Sequence, residues 1–252
     1  MAEGRLAGKW ALVTGAGRGF GTNIARRLAR EGAHVVVHYN RSAGPAEALA
    51  DELGGFAIQA DVTSWADVKR LAEDVFERTG GLDVLVNNVG DVAPEQGSWR
   101  ELREDLVDRV IAVDVKGTLY MCHEIGQRMV DRGGGTIVNV CSNVVVTGSP
   151  RAPQYAASKY GVLGVTKSYA AAFAPSVRVN ALGPGFIAVE STLTRGDWTP
   201  ERERQIVERT PLGKIGDPDE LTGVVVFLAS ADSAHMTGAF VLCDGGFSMV
   251  GA

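Results

Sequence analysis

The sequence predicts an α/β fold: one domain over 1–252 in which a doubly wound parallel sheet of about seven strands carries helices on both faces. Short apolar runs alternate with helical patterns along the whole chain, the order that builds parallel strands joined by crossover helices. The runs are rich in Val and Ile and barely alternate in polarity, as strands buried on both faces do. At 252 residues the chain also has the size at which α/β proteins fold around a single sheet.

The first strand is expected at 10–13, where Ala11-Leu12-Val13 runs into a glycine-rich turn. The first helix follows at 19–31, with Ile24, Ala25 and Leu28 on one face. A strand at 34–38 precedes a helix at 45–53. A strand at 56–60 leads to a helix at 64–79 whose start is marked by Ser64 as N-cap. The strand at 84–87 comes before one long helix at 102–132, and the strand at 136–142 before a helix at 155–173. A strand at 178–181, a helix at 218–229 announced by Asp217-Pro218 and a strand at 240–243 complete the pattern. The segment 183–216 breaks the rhythm with Pro184, Pro200, Pro211 and the charged stretch 201–209. It reads as a long excursion over one edge of the sheet, and such excursions are usually lids or binding loops.

Composition excludes several classes. With 25 basic against 30 acidic residues the formal net charge is −5, and no run of Lys or Arg tracks a phosphate backbone, so no nucleic-acid partner is expected. The first nine residues lack the apolar core of a secretory signal, and no apolar run approaches the roughly 18 residues of a membrane span. The expectation is a cytoplasmic protein with no membrane partner. Cys122, Cys141 and Cys243 lie far apart without metal-ligand spacing, so no metal is expected; they read as buried thiols in a reducing compartment or, alternatively, as reactive ones.

Thr14-Gly15-Ala16-Gly17-Arg18-Gly19-Phe20-Gly21 stands between the first strand and the first helix, where a phosphate site requires it. Gly15, Gly19 and Gly21 allow a tight turn, close approach of backbone to a pyrophosphate and packing of helix on strand. The helix N-terminus adds free N–H groups and a partial positive charge, which makes this a Rossmann-type dinucleotide site. An NAD site usually ends its second strand with an acidic side chain for the ribose hydroxyls. Here His38-Tyr39-Asn40-Arg41-Ser42 offers no carboxylate before Glu47. Arg41 would attract a 2′-phosphate, with Asn40 in the same turn and Ser42 and Arg18 adding donors, so NADP(H) is favoured and NAD(H) stays open. Read alone, Arg41 is equally a solvated loop residue. Asp61-Val62 either receives the adenine amino group and packs on its ring or, for Asp61, caps the next helix. Asn87-Asn88-Val89-Gly90 lies at the carboxyl edge of the sheet, where ligands bind, and is equally a backbone-stabilising turn.

Tyr155 and Lys159 are four apart, which on a helix puts them on one face. A free phenol titrates near pH 10 (about 10) and is a poor acid or base at neutrality, but an adjacent ammonium favours the phenolate. The pair is a proton-transfer unit in outline. Ser142, at the end of its strand, can donate a hydrogen bond to a substrate carbonyl.

On these residues the chain resembles the short-chain dehydrogenase/reductase family, and within it the 3-oxoacyl-(acyl-carrier-protein) reductases. The resemblance covers nearly the whole sequence: the glycine motif, Asp61-Val62, Asn87 to Gly90, Ser142, Tyr155, Lys159, Pro184-Gly185 and Asp244-Gly245-Gly246. It implies that Tyr155 protonates a carbonyl oxygen as hydride arrives from nicotinamide, that Ser142 orients the carbonyl, and that Lys159 holds the ribose and lowers the tyrosine pKa. Asn88, Val89, Gly90, Pro184, Gly185 and Ile187 are the further cofactor contacts it implies.

Four positions depart from the family pattern. Asp114 stands where the family usually has Asn holding a water beside the catalytic Lys; ionised near Lys159, it would raise the pKa of Tyr155 and displace the activity optimum to higher pH. Val89 replaces a frequent Ala, with bulk near the cofactor. Val189 stands where a Thr commonly bonds the nicotinamide amide, leaving Thr192 or backbone groups to substitute. The connection Ala174-Pro175-Ser176-Val177 is one residue shorter than usual, a change that loops absorb.

Substrate choice is expected from the loop after Asn143, from 183–216 and from 91–99. Val144, Val145, Pro150, Phe186, Val189 and Trp198 are candidate walls of a largely apolar pocket. Three readings stand: an NADPH-dependent 3-oxoacyl thioester reductase, a reductase or dehydrogenase of another secondary alcohol, sugar, steroid or aromatic ketone, and a nucleotide-binding sensor without turnover. Arg128, Arg132 and Arg151 are either a landing site for an acidic acyl carrier protein or scattered surface charges. The resemblance further implies a homo-oligomer, most often a tetramer, pairing the long central helices and the last strand; the amphipathic stretch 107–129 and the apolar 247–250 are compatible with it.

Overall fold

The computed structural model describes residues 4–249, which form one α/β domain on a seven-stranded parallel sheet of order β3-β2-β1-β4-β5-β6-β7. From β1 (Trp10–Val13) the chain winds outward through β2 (His34–Tyr39) to β3 (Phe56–Gln59). It then returns to the other side of β1 and continues through β4 (Val84–Asn87), β5 (Gly135–Val140), β6 (Val177–Pro184) and β7 (Phe240–Cys243). The reversal lies between β1 and β4, where Leu12 registers with Leu85 and Val13 with Val86. Loops leaving two such strands diverge, and the crevice between them is where ligands of doubly wound sheets bind.

Strand side chains alternate between faces, so one Val-rich run feeds two cores. Val13, Val35, Val37 and Val86 pack beneath α1 (Gly19–Arg30), α2 (Ala43–Leu53) and α10 (Pro218–Ala229). Leu12, Val36, Leu85 and Ile137 pack beneath α3 (Trp65–Thr79), α5 (Gly117–Arg132) and α7 (Pro153–Phe173). All eight are fully buried, each contributing about 1.5–3 kcal/mol of transfer free energy. The helix starts follow their caps: Ser64 Oγ accepts the Asp67 N–H at 3.3 Å, and Asp217 forms a capping box with Glu220. α1 has no side-chain cap, which leaves its first N–H groups for a ligand.

The structure departs from the sequence reading in four places. β5 stops at Val140, so Ser142 lies beyond the strand rather than at its end. The expected long helix 102–132 is one continuous helical run from Glu104 to Arg132, but α4 (Glu104–Val110) and α5 are joined through a π-helical turn, Ile111–Lys116, and a 3-10 turn, Trp99–Glu101, precedes them. The π turn widens the helix by one residue per turn and carries Asp114 into the interior, a local change that apolar periodicity does not reveal. The excursion 183–216 is not all loop. It holds α8 (Glu190–Leu193) and α9 (Pro200–Arg209), the latter capped by Thr199 Oγ1 on the Arg202 N–H at 3.1 Å. The charged 201–209 stretch makes up nearly all of α9, and Ile206 is its one buried residue. Finally, α6 (Val144–Thr147) forms in the loop after Asn143. Val250, from the apolar C-terminal stretch, lies outside the described residues.

Candidate active site

The glycine loop bends at Gly15 (φ 64°) and Gly19 (φ 59°), values that side-chain-bearing residues rarely adopt. Gly21 answers a packing need: a Cβ there would lie 2.6 Å from both Asn88 Nδ2 and Gly15 O. The loop is tied to β4 by Thr14, whose Oγ1 accepts the N–H groups of Asn88 (2.8 Å) and Val89 (3.1 Å). Asn88 Nδ2 donates to Thr14 O at 2.9 Å, and Asn87 Nδ2 donates to Asn139 Oδ1 at 2.9 Å. Both amide nitrogens are therefore spent on holding backbone and strands together, while Asn87 Oδ1 is buried without a partner among the described residues. The Val89 side chain rests on the loop, 3.0 Å from where a Cβ on Gly15 would sit. Phe20 packs beside Ile187 and Leu221, joining α1 to the excursion.

His38 is a member of this site that the sequence reading passed over. Its Nδ1 accepts the Gly15 N–H at 3.1 Å and its Nε2 lies 3.1 Å from Ala60 O, so the neutral ring with its proton on Nε2 satisfies both. Burial pushes its pKa down to about 4, against weaker opposition from the Ala60 carbonyl and Asp61. A polar residue inside an otherwise apolar strand was the available signal.

Asp61 does not cap α3. Its Oδ1 accepts from Thr63 N at 2.9 Å and Thr63 Oγ1 at 2.8 Å, while Ser64 provides the cap. Val62 is buried against the start of α5, its Cγ2 2.9 Å from a Cβ built at Gly117. At the end of β2, Arg41 and Asn40 are exposed, as is Arg18 in the glycine loop. The two turns abut, since a Cβ on Gly17 would meet Ser42 O at 3.3 Å. Neither Arg18 nor Arg41 has an ion-pair or side-chain hydrogen-bond partner among the described residues, which leaves two cations free beside the crevice.

The catalytic candidates converge. Lys159 Nζ lies 3.2 Å from Asp114 Oδ2, 3.5 Å from Val140 O and 5.6 Å from the centre of the Tyr155 ring. Asp114 also accepts from Ser158 Oγ at 2.7 Å and from the Asp91 N–H at 2.7 Å. Burial alone would lower the pKa of the Lys159 ammonium, but Asp114 overrides it and holds it above its ordinary value. Tyr155 is half-buried, and its phenol is raised: burial is the largest cause, Lys159 opposes it, Asp114 adds to it, and the nearby Ser142 hydroxyl opposes it. Gly90 keeps this corner open, because a Cβ there would fall 2.9 Å from Lys159 Nζ.

Pro184 and Gly185 leave β6 beside β7. Pro184 O accepts the Asn143 N–H at 2.9 Å, and a Cβ on Gly185 would sit 2.7 Å from Asp244 Cβ. The Ile187 side chain is buried with Val189 and Leu221 in a small core of its own. Val189 thus anchors the excursion internally instead of lining a pocket. Of the other expected walls, Phe186 and Trp198 meet at 6.2 Å between ring centres, Val145 is buried, and Pro150 is exposed. Cys122 and Cys141 are buried as expected, whereas Cys243 is half-buried; burial pushes the Cys122 thiol up to about 12 and raises those of Cys141 and Cys243, which favours unreactive thiols. Arg128 pairs with Glu124 at 2.8 Å, Arg132 with Asp83 at 3.6 Å, and Arg151 with backbone carbonyls, so each of the three has a partner within the chain.

The uncapped α1 N-terminus, the glycine cradle that a Cβ would fill, and the free arginines are what a dinucleotide needs, and the residues present fit one. A family model described as enoyl-(acyl carrier protein) reductase matches residues 15–248. A 3-oxoacyl-[acyl-carrier-protein] reductase of Staphylococcus aureus is 37% identical over 247 residues, covering 96% of this chain and 98% of that protein. D-threitol dehydrogenase of Mycolicibacterium smegmatis is 37% identical over 253 residues, covering 97% and 95%. Among solved structures, a gluconate 5-dehydrogenase of Burkholderia cenocepacia in complex with NADP and tartrate superposes with a TM-score of 0.90 at 32% identity, covering 98% of each chain. Matched over nearly its whole length in sequence and fold, the chain belongs to the short-chain dehydrogenase/reductase family and is a nicotinamide-dependent oxidoreductase.

Proposed function

We propose that the protein interconverts a ketone and a secondary alcohol with NADP(H), and that its substrate is a 3-oxoacyl thioester. The observation that carries the reaction class is the cluster of Tyr155, Ser142, Lys159 and Asp114 at the carboxyl edge of the sheet. Tyr155 Oη gives its proton to the carbonyl oxygen in reduction and takes it back in oxidation. Ser142 Oγ donates to the same oxygen and fixes its position. Lys159 lowers the phenol pKa against the burial that raises it, and its ammonium would hold a ribose hydroxyl of the bound cofactor. When bound, the nicotinamide supplies or receives hydride.

Gly15, Gly19, Phe20 and Gly21 would form the pyrophosphate cradle, Asp61 and Val62 the adenine edge, and Val89, Gly90, Pro184, Gly185 and Ile187 the nicotinamide side. The Asn88 side chain shapes that cradle through Thr14, so its contribution is indirect. The Ile187 N–H has no backbone partner among the described residues, which supports its use as a donor to the carboxamide in place of the absent Thr at 189. Preference for NADPH rests on Arg41 and Arg18, both exposed and unpaired beside Asn40 and Ser42. The segment 183–216 serves as the lid, and the acyl group arrives on a carrier protein. The same reading makes the enzyme a cytoplasmic homotetramer; exposed Leu119 on α5, Tyr160 on α7 and Leu242 on β7 are apolar surface for the two interfaces.

A second reading, oxidation of a polyol or sugar-derived alcohol, is favoured by the relative of equal identity named for threitol and by the neighbour named for gluconate. Initial rates of NADPH and NADH oxidation with acetoacetyl-CoA, beside NADP⁺ and NAD⁺ reduction with threitol and gluconate, separate the two. Turnover of the thioester with NADPH supports the first reading. Turnover of the alcohols alone replaces it with the second.

A further inference from the structure

A cluster of charges joins the lid to the start of the catalytic helix. Asp197, between α8 and α9, is held by Arg195 at two points, Nε to Oδ1 at 2.9 Å and Nη2 to Oδ2 at 2.7 Å. Its Oδ2 also meets Arg202 Nη1 at 2.5 Å and Arg151 Nε at 3.8 Å. Three guanidinium groups therefore share one carboxylate. Arg151 is committed elsewhere, donating to the carbonyls of Val92, Ala93 and Gln96, so it locks the 91–97 loop onto the residues leading into α7.

Arg195 and Arg202 are not spent in this way. Arg195 Nη1 and Arg202 Nε and Nη2 carry no hydrogen bond among the described residues. Their side chains are 13% and 32% exposed, enough to be reached and enough to be partly desolvated. The nearby carboxylate Glu203 accepts from the Trp198 indole at 3.1 Å. Arg151, four residues before Tyr155 in the chain, stands in this excess of positive charge: its guanidinium is held below its usual range by burial first and then by Arg195 and Arg202, with Asp197 and Tyr155 opposing. A second anion in this cluster would relieve that repulsion, and guanidinium groups bind carboxylate and phosphate oxygens in a matching two-point geometry.

We propose that Arg195 and Arg202 bind an anionic group of the substrate, a carboxylate or a phosphate, through the N–H groups that Asp197 leaves unused. The inference rests on the reading of Tyr155 as the acid for a carbonyl substrate. It narrows that substrate to one carrying negative charge away from the reacting carbon, and it makes Arg195 and Arg202 specificity-determining residues of the lid.

The test compares acetoacetate with methyl acetoacetate, and acetoacetyl-CoA with the neutral N-acetylcysteamine thioester. Each is assayed with wild type, Arg195→Gln/Arg202→Gln and Asp197→Asn. The double variant is expected to raise KM for the charged member of one pair by about tenfold or more, with the neutral member within about twofold. The first pair responding identifies a carboxylate, the second a phosphate. Asp197→Asn removes the competing anion and is expected to keep or lower that KM. If the cluster only locks the lid, both variants weaken charged and neutral substrates alike, and the proposal fails. Absence of Tyr155-dependent turnover with all four compounds is a failure of the underlying reading instead. Calorimetric titration of acetoacetate and of inorganic phosphate into the NADP⁺-loaded proteins then decides the binding claim. Binding lost in the double variant and kept in Asp197→Asn supports it, and no binding to wild type overturns it.

Discussion

Asp114 Oδ2 and Lys159 Nζ form a buried ion pair at 3.2 Å, with Asp114 fully buried and Lys159 nearly so. The pair survives burial because the carboxylate also accepts from Ser158 Oγ and the Asp91 N–H, so the desolvated charge is fully coordinated. The Lys159 ammonium is therefore divided between two partners, and the support it gives a Tyr155 phenolate is opposed by Asp114.

Replacing Asp114 by Asn removes one of the charges that raise the Tyr155 pKa while keeping a side chain able to accept from the Asp91 N–H. The phenol pKa then falls. In alcohol oxidation, which needs the deprotonated form, the acid limb of the kcat/KM profile is expected to move to lower pH. A profile that superposes on wild type contradicts this role. Asp114→Ala, which strands the buried ammonium, is expected to cost about 3–5 kcal/mol in urea unfolding.

Arg41→Glu places a carboxylate where a 2′-phosphate is expected. The ratio of kcat/KM for NADPH over NADH is expected to fall by about tenfold or more, while turnover with NADH holds or improves. An unchanged ratio assigns Arg41 to solvent.

Gly21→Ala puts a methyl group 2.6 Å from Asn88 Nδ2 and Gly15 O. Both neighbours are fixed, one by Thr14 and the other by backbone, so the loop must shift. NADPH affinity, read by nucleotide fluorescence, is expected to weaken by about tenfold or more, with a stability loss of about 1–3 kcal/mol. Gly44→Ala, inside α2 where a Cβ meets nothing, serves as the control and is expected to leave NADPH affinity unchanged and to keep or raise stability by up to about 1 kcal/mol.

His38 makes stability depend on pH. Its pKa falls from the ordinary 6.5 to about 4 on folding, so below 6.5 the unfolded chain takes up a proton that the folded chain refuses. The neutral ring's contribution is complete above pH 6.5 and is lost as pH falls towards 4. Between pH 7 and pH 5 the loss is about 2 kcal/mol. His38→Asn, which keeps an acceptor for Gly15 and a donor for Ala60, is expected to lack this component when urea unfolding is compared at the two pH values.

The strands were legible because each is a short apolar run, largely buried on both faces in β1, β2, β4, β5 and β6 though not in the edge strands β3 and β7, and the residues at 10–13, 84–87 and 240–243 agree with the observed bounds. Ser64 and Asp217 were legible because a cap is a local side-chain-to-backbone bond. The Tyr155–Lys159 spacing was legible because one helix carries both. What escaped was set by contacts far apart in sequence. Nothing near residue 111 announces a π turn whose Asp114 bonds across to residues 91, 158 and 159. The stretch 201–209 carries no apolar stripe to announce a helix because Ile206 alone is buried. His38 and Asp197 acquire their roles only when the chain brings Gly15 and Ala60, or Arg151, Arg195 and Arg202, around them.

Tyr155→Phe removes a single hydroxyl from the cluster and leaves the glycine cradle, Arg41 and Lys159 untouched. Paired measurements of NADPH affinity and of acetoacetyl-CoA reduction in this variant are the most direct check that Tyr155 is the proton donor. Affinity within about twofold of wild type together with a fall in kcat of about a hundredfold or more is the expected result. Retention of most of the kcat, with NADPH bound normally, would show that another group delivers the proton.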